Sequence, residues 1–349
     1  MNEKEDVSKK EIIYLDILKI FACFMVIINH TNGLITINPA FSNMIFLCIT
    51  FSLSKVGVGL FLMITGALVL DKQYSYKKVL KCVLRVLVPT FLLSLIFYVR
   101  DTGIYNLNIF LFLKTILSRP YLFSYWYIYA IIGVYLVLPF LQKMVVNFSN
   151  RDYMFFIITF LLVPTFVNFL RITLNIKIDS NFQLAFFPVF IAFTICGNYM
   201  AKIKKSKENL VLSFVVFIIS YISLFLSFYV PYVKSGNISY VLDSWEAFPV
   251  VLMSISLFYI IRHLFEDKNY SIITTKVITT VASTTFGIYL IHTALNTELF
   301  KLTIMQNMFR FSPIISIIIL DFAVFILCMT IIFLLKKVPF IKRIYECIK

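Results

Sequence analysis

Residues 14–34 read Tyr-Leu-Asp-Ile-Leu-Lys-Ile-Phe-Ala-Cys-Phe-Met-Val-Ile-Ile-Asn-His-Thr-Asn-Gly-Leu. A mostly apolar run of about twenty residues is long enough to cross a bilayer as one α-helix. The stretch nevertheless contains three ionisable residues, Asp16, Lys19 and His30. A charged group at the centre of a membrane helix costs roughly 3 kcal/mol, so such groups face a protein interior or a water-filled cavity. The stretch therefore predicts a membrane helix that carries part of a buried site.

Lys19 and His30 are predicted to share one face of this helix. At about 100° per residue, their separation in sequence amounts to three turns plus about 20°. At 1.5 Å per residue, the two side chains are roughly 16 Å apart along the helix axis. A basic group near one end and an imidazole deeper on the same face indicate a site that reaches into the membrane.

The composition indicates a polytopic, all-α membrane protein. Of the 349 residues, 60% are hydrophobic and only 14% are charged, which is more apolar surface than a soluble domain can bury. Six cysteines occur without a Cys-x-x-Cys pair, and most lie in apolar segments. We therefore expect inert, buried thiols, with neither a disulfide framework nor a metal site.

About ten apolar segments are long enough to be membrane helices, and they leave no long linker, so we expect one domain over residues 1–349. Residues 104–118 are interrupted by polar side chains and are predicted to be an interfacial or re-entrant piece. Residues 1–11 and 336–349 are expected to be cytoplasmic tails. The predicted spans are 12–34, 44–70, 79–99, 122–142, 153–172, 182–201, 209–231, 244–263, 276–296 and 312–335.

The distribution of lysine and arginine predicts that both termini are cytoplasmic. With the N-terminus inside, the cytoplasmic loops and tails carry 21 basic residues and the outer loops carry 8. Cytoplasmic loops are enriched in lysine and arginine. The net charge of +15 is therefore a signature of topology, and we expect no nucleic-acid partner.

This orientation places two of the three histidines at one depth of the membrane. Lys19 lies toward the cytoplasmic side and His30 in the outer half of the first helix. The ninth segment also runs outward, and its His292 reaches a depth similar to that of His30. The third histidine, His263, falls at a cytoplasmic helix end and is predicted to be a surface residue.

Four stretches resemble the integral-membrane acyltransferase 3 family. They occur in the family's order, and the resemblance covers nearly the whole chain. The family usually has arginine where this chain has Lys19, and more often has serine where it has Thr65. The stretches are Leu15–Lys19 followed by His30, Val58–Gly66, Ser124–Ala130 continuing through Tyr135 and Pro139, and Phe286–His292.

The resemblance implies an O-acyltransferase of about ten membrane helices that modifies an envelope polysaccharide or a lipid-linked glycan. The expected co-substrate is cytoplasmic acetyl-CoA, with no bound cofactor. Its phosphates require lysine or arginine, and Lys19 and Arg85 are the candidates. The family often has two arginines three residues apart here. This chain has Cys82 at the first position, which leaves Lys81 beside it as a third donor-binding candidate.

Within this scheme His30 is the expected catalytic residue, as a general base on the acceptor hydroxyl or as a covalent acyl carrier. His292 is the second catalytic candidate, and an interhelical hydrogen bond remains its simpler interpretation. The side chains expected to contact the acceptor or the oxyanion are Lys55, Trp126, Tyr129, Trp245, Glu246 and Glu298.

The alternative function is a transporter of a glycan or a small polar solute. Intramembrane charges also mark transport pathways. The sequence shows no inverted repeat, which disfavours the common transporter architectures. In both cases the protein is expected to be a multi-pass protein of the cell membrane, and the bilayer is its solvent.

Overall fold

The computed structural model describes residues 3–176 and 188–338, with the side chains of residues 3–12 excepted, and these residues contain no β-strand. The helices are α1 Glu3–Thr31, α2 Phe41–Ser54, α3 Val56–Val69, α4 Tyr76–Thr102, α5 Ile109–Ser118, α6 Trp126–Val145, α7 Asn150–Ile157, α8 Val163–Thr173, α9 Val189–Lys202, α10 Lys207–Ser235, α11 Phe248–Phe265, α12 Ile272–Ala282, α13 Thr285–Phe300, α14 Thr303–Phe311 and α15 Pro313–Leu335.

The prediction of an all-α polytopic membrane protein is confirmed. The described residues contain eight helical segments long and apolar enough to span a membrane, or up to nine if the bent pair α12–α13 is one span. The predicted span 182–201 coincides with the shorter helix α9, and its residues 182–187 lie outside the described part. Helix α5 has ten residues. It rises only about 15 Å, half the hydrocarbon thickness, as expected for a segment that does not cross.

The expected tails differ in how far the structure describes them. Helix α1 extends back through most of the residues assigned to the N-terminal tail and begins at Glu3. Of the C-terminal tail, residues 339–349 lie outside the described part of the chain. The domain boundary given from the sequence stays a prediction.

One predicted span is interrupted by a single residue at Lys55 and another bends sharply, and hydroxyl side chains bond to backbone carbonyls at both places. The span 44–70 divides at Lys55, just after Ser52 and Ser54 donate hydrogen bonds to the carbonyls of preceding residues. Helices α12 and α13 meet at a 52° bend, where Ser283, Thr284 and Thr285 do the same. Such bonds compete with the helical ladder and bend membrane helices.

Helix α1 lies at the centre of the molecule, where it packs against α2, α3, α11, α12, α13 and α15. Its Leu18 and Ala22 are fully buried. A helix surrounded by other helices has no lipid-facing side, so its polar residues contact protein groups or internal cavities. The central position of α1 therefore brings Lys19 and His30 into the interior.

Helices α3 and α9 pack closely because glycines form their contact. A Cβ atom at Gly66 would collide with the backbone of Thr194, and one at Gly197 would collide with the backbone of Met63. Small residues allow membrane helices to approach at backbone distance. This packing fixes the end of α3 and the loop that follows it.

Candidate active site

The structure brings His30 and His292 into contact. Their ring centroids are 5.1 Å apart, with the planes inclined by 52°. His30 is half-buried in the last turn of α1, whereas His292 on α13 is only 1% exposed. The two histidines that the sequence placed at a similar depth are therefore in contact, and His30 is the more exposed of the two.

Polar contacts around the pair hold α13 and α15 against the end of α1. The amide of Asn296 donates to the backbone carbonyl of His30 at 3.4 Å. Thr31 donates to a carboxylate oxygen of Asp321 at 2.5 Å. Nδ1 of His292 is 2.7 Å from the carbonyl oxygen of Tyr289, and Nε2 has no hydrogen-bond partner among the described residues. A proton on Nδ1 donated to this carbonyl leaves Nε2 as an acceptor.

One face of His30 opens into the Lys55 cavity, a space of about 330 Å³. Lys55 is 8% exposed, forms an ion pair with Asp243, and lies 3.4 Å from the centroid of the Phe51 ring. Trp126 and Trp245 stack at 5.7 Å on the opposite wall. Phe190 stacks on Trp245 at 4.8 Å and extends this aromatic surface. The cavity thus combines a charged pair, a flat aromatic wall and an imidazole.

His30 also lines a second space, the Glu298 cavity, of about 200 Å³. Glu298 is 3.1 Å from Lys301 and 3.9 Å from Arg100. Arg100 in turn pairs with Asp101 at 2.8 Å. These four charges balance one another, so this cavity is polar without a net charge that would favour an ion of either sign.

Lys19 lines a separate space, the Lys19 cavity, of about 210 Å³. Its ammonium is 2.7 Å from the carboxylate of Asp16, one turn away, as expected from their spacing. The remaining lining is mostly apolar and includes Tyr127, Tyr135 and Tyr289. Tyr289 also lines the Lys55 cavity, so the two cavities meet at its ring.

Two reciprocal hydrogen bonds fix Tyr289 in this position. Its hydroxyl donates to the backbone carbonyl of Ser124, while the hydroxyl of Tyr125 donates to the carbonyl of Leu290 at 2.7 Å. The third and fourth of the sequence stretches that resemble the family are therefore bonded to each other. Their shared function in the fold is to hold the wall between the Lys19 and Lys55 cavities.

Five candidates from the sequence are absent from the linings of these three cavities, and His292, which packs against His30, is one of them. Tyr129 is 45% exposed and donates to the carbonyl of Ile116 at 2.9 Å, because its position on α6 faces away from the cavity stripe. Lys81 is exposed on α4. Glu246 is half-buried at the turn before α11, where burial raises the pKa of its carboxyl group. Arg85 is half-buried on α4, near Tyr74 and Tyr135.

Sequence reasoning assigned no role to Tyr289 and did not pair Asp243 with Lys55. Tyr289 lies in a quoted motif, one turn before His292, and that spacing places both on one face of α13. Asp243 could have been inferred from Lys55, since a lysine inside a membrane segment requires a carboxylate or a substrate partner. The choice of Asp243 depends on how the loop before α11 folds back, which no local pattern encodes.

Comparison with known proteins identifies the family of this chain. The profile of the acyltransferase domain family, Acyl_transf_3, matches residues 12–336. Searches among curated proteins and among solved structures found no match. The family match covers nearly all of the helices that form the site, from α1 with Lys19 and His30 to the end of α15. On this evidence the chain belongs to the integral-membrane acyltransferase 3 family.

Proposed function

We propose that this protein transfers an acetyl group from cytoplasmic acetyl-CoA to a hydroxyl of a cell-envelope glycan. Membership of an acyltransferase family supports acyl transfer. The acetyl donor and the glycan acceptor are the specific parts of the proposal. They rest on the chemistry of the cavities on the two sides of Tyr289.

One observation carries the proposal: the Lys19 cavity and the Lys55 cavity meet at Tyr289, beside the histidine pair. The long, thin arm of the donor fits the first cavity, which is mostly apolar and contains one lysine. The thioester at the other end would then reach His30 past Tyr289. Lys19 and Arg85 would neutralise the phosphates, because both are basic and lie on the donor's side of that ring.

The acceptor side has the features of a sugar site. The stacked indoles of Trp126 and Trp245 offer a flat apolar surface for the face of a pyranose ring. Lys55, Asp243 and His30 line the same cavity and supply donors and acceptors for hydroxyl groups. A glycan hydroxyl lying on the indoles would be directed toward the imidazole.

In the proposed reaction His30 acts as a general base. It removes the proton from the acceptor hydroxyl as the oxygen attacks the thioester carbonyl carbon. The C–S bond then breaks, and the CoA thiolate takes the proton back from the imidazolium, which leaves an ester and free CoA. Lys55 is placed to stabilise the tetrahedral oxyanion. The acceptor at Nε2 of His292 would orient the His30 ring.

The test is a His30→Gln variant, which retains a polar side chain but has no basic nitrogen. The purified protein is incubated with radiolabelled acetyl-CoA and an envelope glycan fraction, and both glycan labelling and CoA affinity are measured. We expect labelling to fall by about 10²–10⁴-fold, the usual contribution of a general base. We expect CoA affinity to be retained, since Lys19 is roughly 16 Å away along α1.

His263→Gln is the matched control, because this third histidine lines none of the cavities that contain His30. Its activity should equal that of the unmodified protein. Near-normal labelling by a well-folded His30→Gln protein would show that His30 has no chemical role. Solute uptake into liposomes without glycan labelling by the unmodified protein would instead support the transporter function.

A further inference from the structure

A fourth cavity lies where the loop between α3 and α4 meets the C-terminal half of α6. We name it the Tyr74 cavity after a residue of that loop. Lys72, Tyr74 and Tyr76 contribute from the loop and the start of α4, and Gln142 and Lys143 contribute from α6. Its volume is about 450 Å³, which is within the usual range for small-molecule sites.

Gln142 of α6 forms hydrogen bonds with the end of α3 and with the loop that follows it. The side-chain amide of Gln142 donates to the carbonyl of Val69 at 2.8 Å and accepts from the backbone N–H of Tyr74 at 3.1 Å. Gln142 is 7% exposed, so these bonds form in a region with little competing water. The loop is thus held against α6 before any ligand arrives, which reduces the entropic cost of binding.

The charges around the Tyr74 cavity favour an anion. Lys72 and Lys143 line it, and helix α4 begins at Tyr76 after the N-cap Ser75, with its N-terminal amides at the cavity. The lining carboxylate, Asp71, forms an ion pair with Lys202. The ammonium of Lys78 is 4.1 Å from the centroid of the Tyr74 ring. The site therefore combines basic groups with an aromatic ring.

Helix α6 connects this cavity with the Lys19 cavity. Residues 127, 128, 131 and 135 line the Lys19 cavity, and residues 139, 142, 143 and 146 line the Tyr74 cavity. Spacings of three and four residues place all eight on one face of the helix. The rise of an α-helix gives this face a length of roughly 28 Å from Tyr127 to Val146.

Arg85 on α4 lies near one residue of each cavity, Tyr74 and Tyr135. Burial raises the pKa of the Tyr74 hydroxyl, and the nearby Arg85 guanidinium acts in the opposite direction. Arg85 also interacts electrostatically with Tyr135, which lines the Lys19 cavity. A ligand that follows the α6 face thus passes a guanidinium between the two spaces.

We infer that the Tyr74 cavity binds the nucleotide end of the acyl donor, a phosphorylated adenosine, while the pantetheine arm follows the α6 face toward His30. This inference rests on the proposed function and extends it to the far end of the same co-substrate. The Tyr74 ring offers a stacking surface for the purine. Lys72 and Lys143 neutralise the phosphate on the ribose.

The test compares two donors, acetyl-CoA and acetyl-pantetheine, which lacks the nucleotide. In a Lys72→Ala/Lys143→Ala protein we expect the KM for acetyl-CoA to rise by at least about tenfold, because a hydrogen bond to a charged group contributes about 1.5–3 kcal/mol. The KM for acetyl-pantetheine and the kcat with either donor should be unchanged. Lys207→Ala, which removes an exposed lysine at the start of α10, is the matched control.

Direct binding separates the failure of this inference from the failure of the proposed function. Adenosine 3′,5′-bisphosphate should bind the unmodified protein in a calorimetric titration, and the double variant and Tyr74→Leu should bind it at least about tenfold more weakly. Full transfer activity with an unchanged KM for acetyl-CoA in the double variant would overturn the inference and leave acetyl transfer intact. Nucleotide binding without acetyl transfer would support the cavity assignment and refute the proposed reaction.

Discussion

The ion pair between Lys55 and Asp243 has one buried and one accessible partner. The side chain of Lys55 is 7% exposed and that of Asp243 is 27% exposed. Removing one partner of a buried pair costs up to roughly 3–5 kcal/mol, chiefly because the other charge remains buried and uncompensated. The cost must therefore depend on which partner is removed.

Asp243→Asn is expected to destabilise the protein more than Lys55→Met. The first change leaves the Lys55 ammonium without its carboxylate in the interior, with an expected cost of about 3 kcal/mol. The second leaves a carboxylate that water can reach. Thermal unfolding of the purified variants measures the difference. The double variant should recover part of the loss, and equal melting temperatures for the two single variants would contradict the role assigned to burial.

The orientation of His292 gives a second prediction at this scale. The side-chain amide of glutamine reaches the position of Nε2, whereas that of asparagine reaches only Nδ1. If the acceptor at Nε2 positions His30, His292→Gln should retain most of the glycan labelling. His292→Asn should lose on the order of tenfold, equivalent to the ~1.4 kcal/mol of one hydrogen bond. Equal activity of the two variants, with unchanged thermal unfolding, would show that His292 serves packing alone.

At the scale of the elements, the sequence predicted where apolar segments lie but not how they bend. The span 44–70 is uniformly apolar apart from its serines, threonines and Lys55, so hydropathy reads it as one helix. The one-residue interruption at Lys55 coincides with hydrogen bonds from serine hydroxyls to backbone carbonyls and with an ion pair to a loop carboxylate far along the chain. Contacts between residues far apart in the chain leave no periodic pattern in the sequence from which they could be predicted.

By contrast, the similar depth of His30 and His292 in the membrane could be predicted from the sequence. Residues on two helices that cross in the same direction have depths set by the helical rise, and the depths of His30 and His292 could be counted from the helix ends. The stacking of Trp245 on Trp126 and Phe190 could not be counted in this way. It depends on how α6, α9 and the loop before α11 lie side by side, which one sequence does not encode locally.

The contact between α3 and α9 can be tested with one matched pair of substitutions. Gly66→Ala should destabilise the protein by about 1–3 kcal/mol, because its Cβ would overlap the Thr194 backbone, which cannot move independently. Gly133→Ala is the control, since a Cβ there has no neighbour within 4 Å. It should be neutral or stabilising by up to ~1 kcal/mol, the gain in helix propensity. Similar thermal unfolding for both variants would contradict the proposed contact.

For the whole molecule, the orientation in the membrane determines the side from which each substrate arrives. Ion pairs and hydrogen bonds place several chain segments at one end of the bundle: Lys202 pairs with Asp71, and Arg262 donates to the carbonyls of Met200 and Ile203. This end carries the basic loops that indicated cytoplasm. The Tyr74 cavity, beside Asp71, lies at the same end.

Reporter fusions after Lys205 and at the C-terminus should therefore report cytoplasm, and a fusion after Gly236 should report the exterior. The expectation follows from the excess of lysine and arginine on the inner side. Alkaline phosphatase and green fluorescent protein, which are active on opposite sides of the membrane, provide the paired readout. An exterior C-terminus would reverse the assignment of donor and acceptor sides.

The position of Tyr289 between the Lys19 and Lys55 cavities also has a consequence for the energetics of the cell. A membrane protein with adjoining cavities must not conduct protons across the bilayer, or it would dissipate the gradient that powers its host. Tyr289→Ala should join the two cavities through the space left by the phenol, and liposomes that contain this variant should lose an imposed pH gradient, measured with an entrapped dye. Liposomes that contain Tyr289→Phe, which retains the ring, should keep the pH gradient. If liposomes with Tyr289→Ala also keep the gradient, groups other than the Tyr289 ring block proton movement between the two cavities.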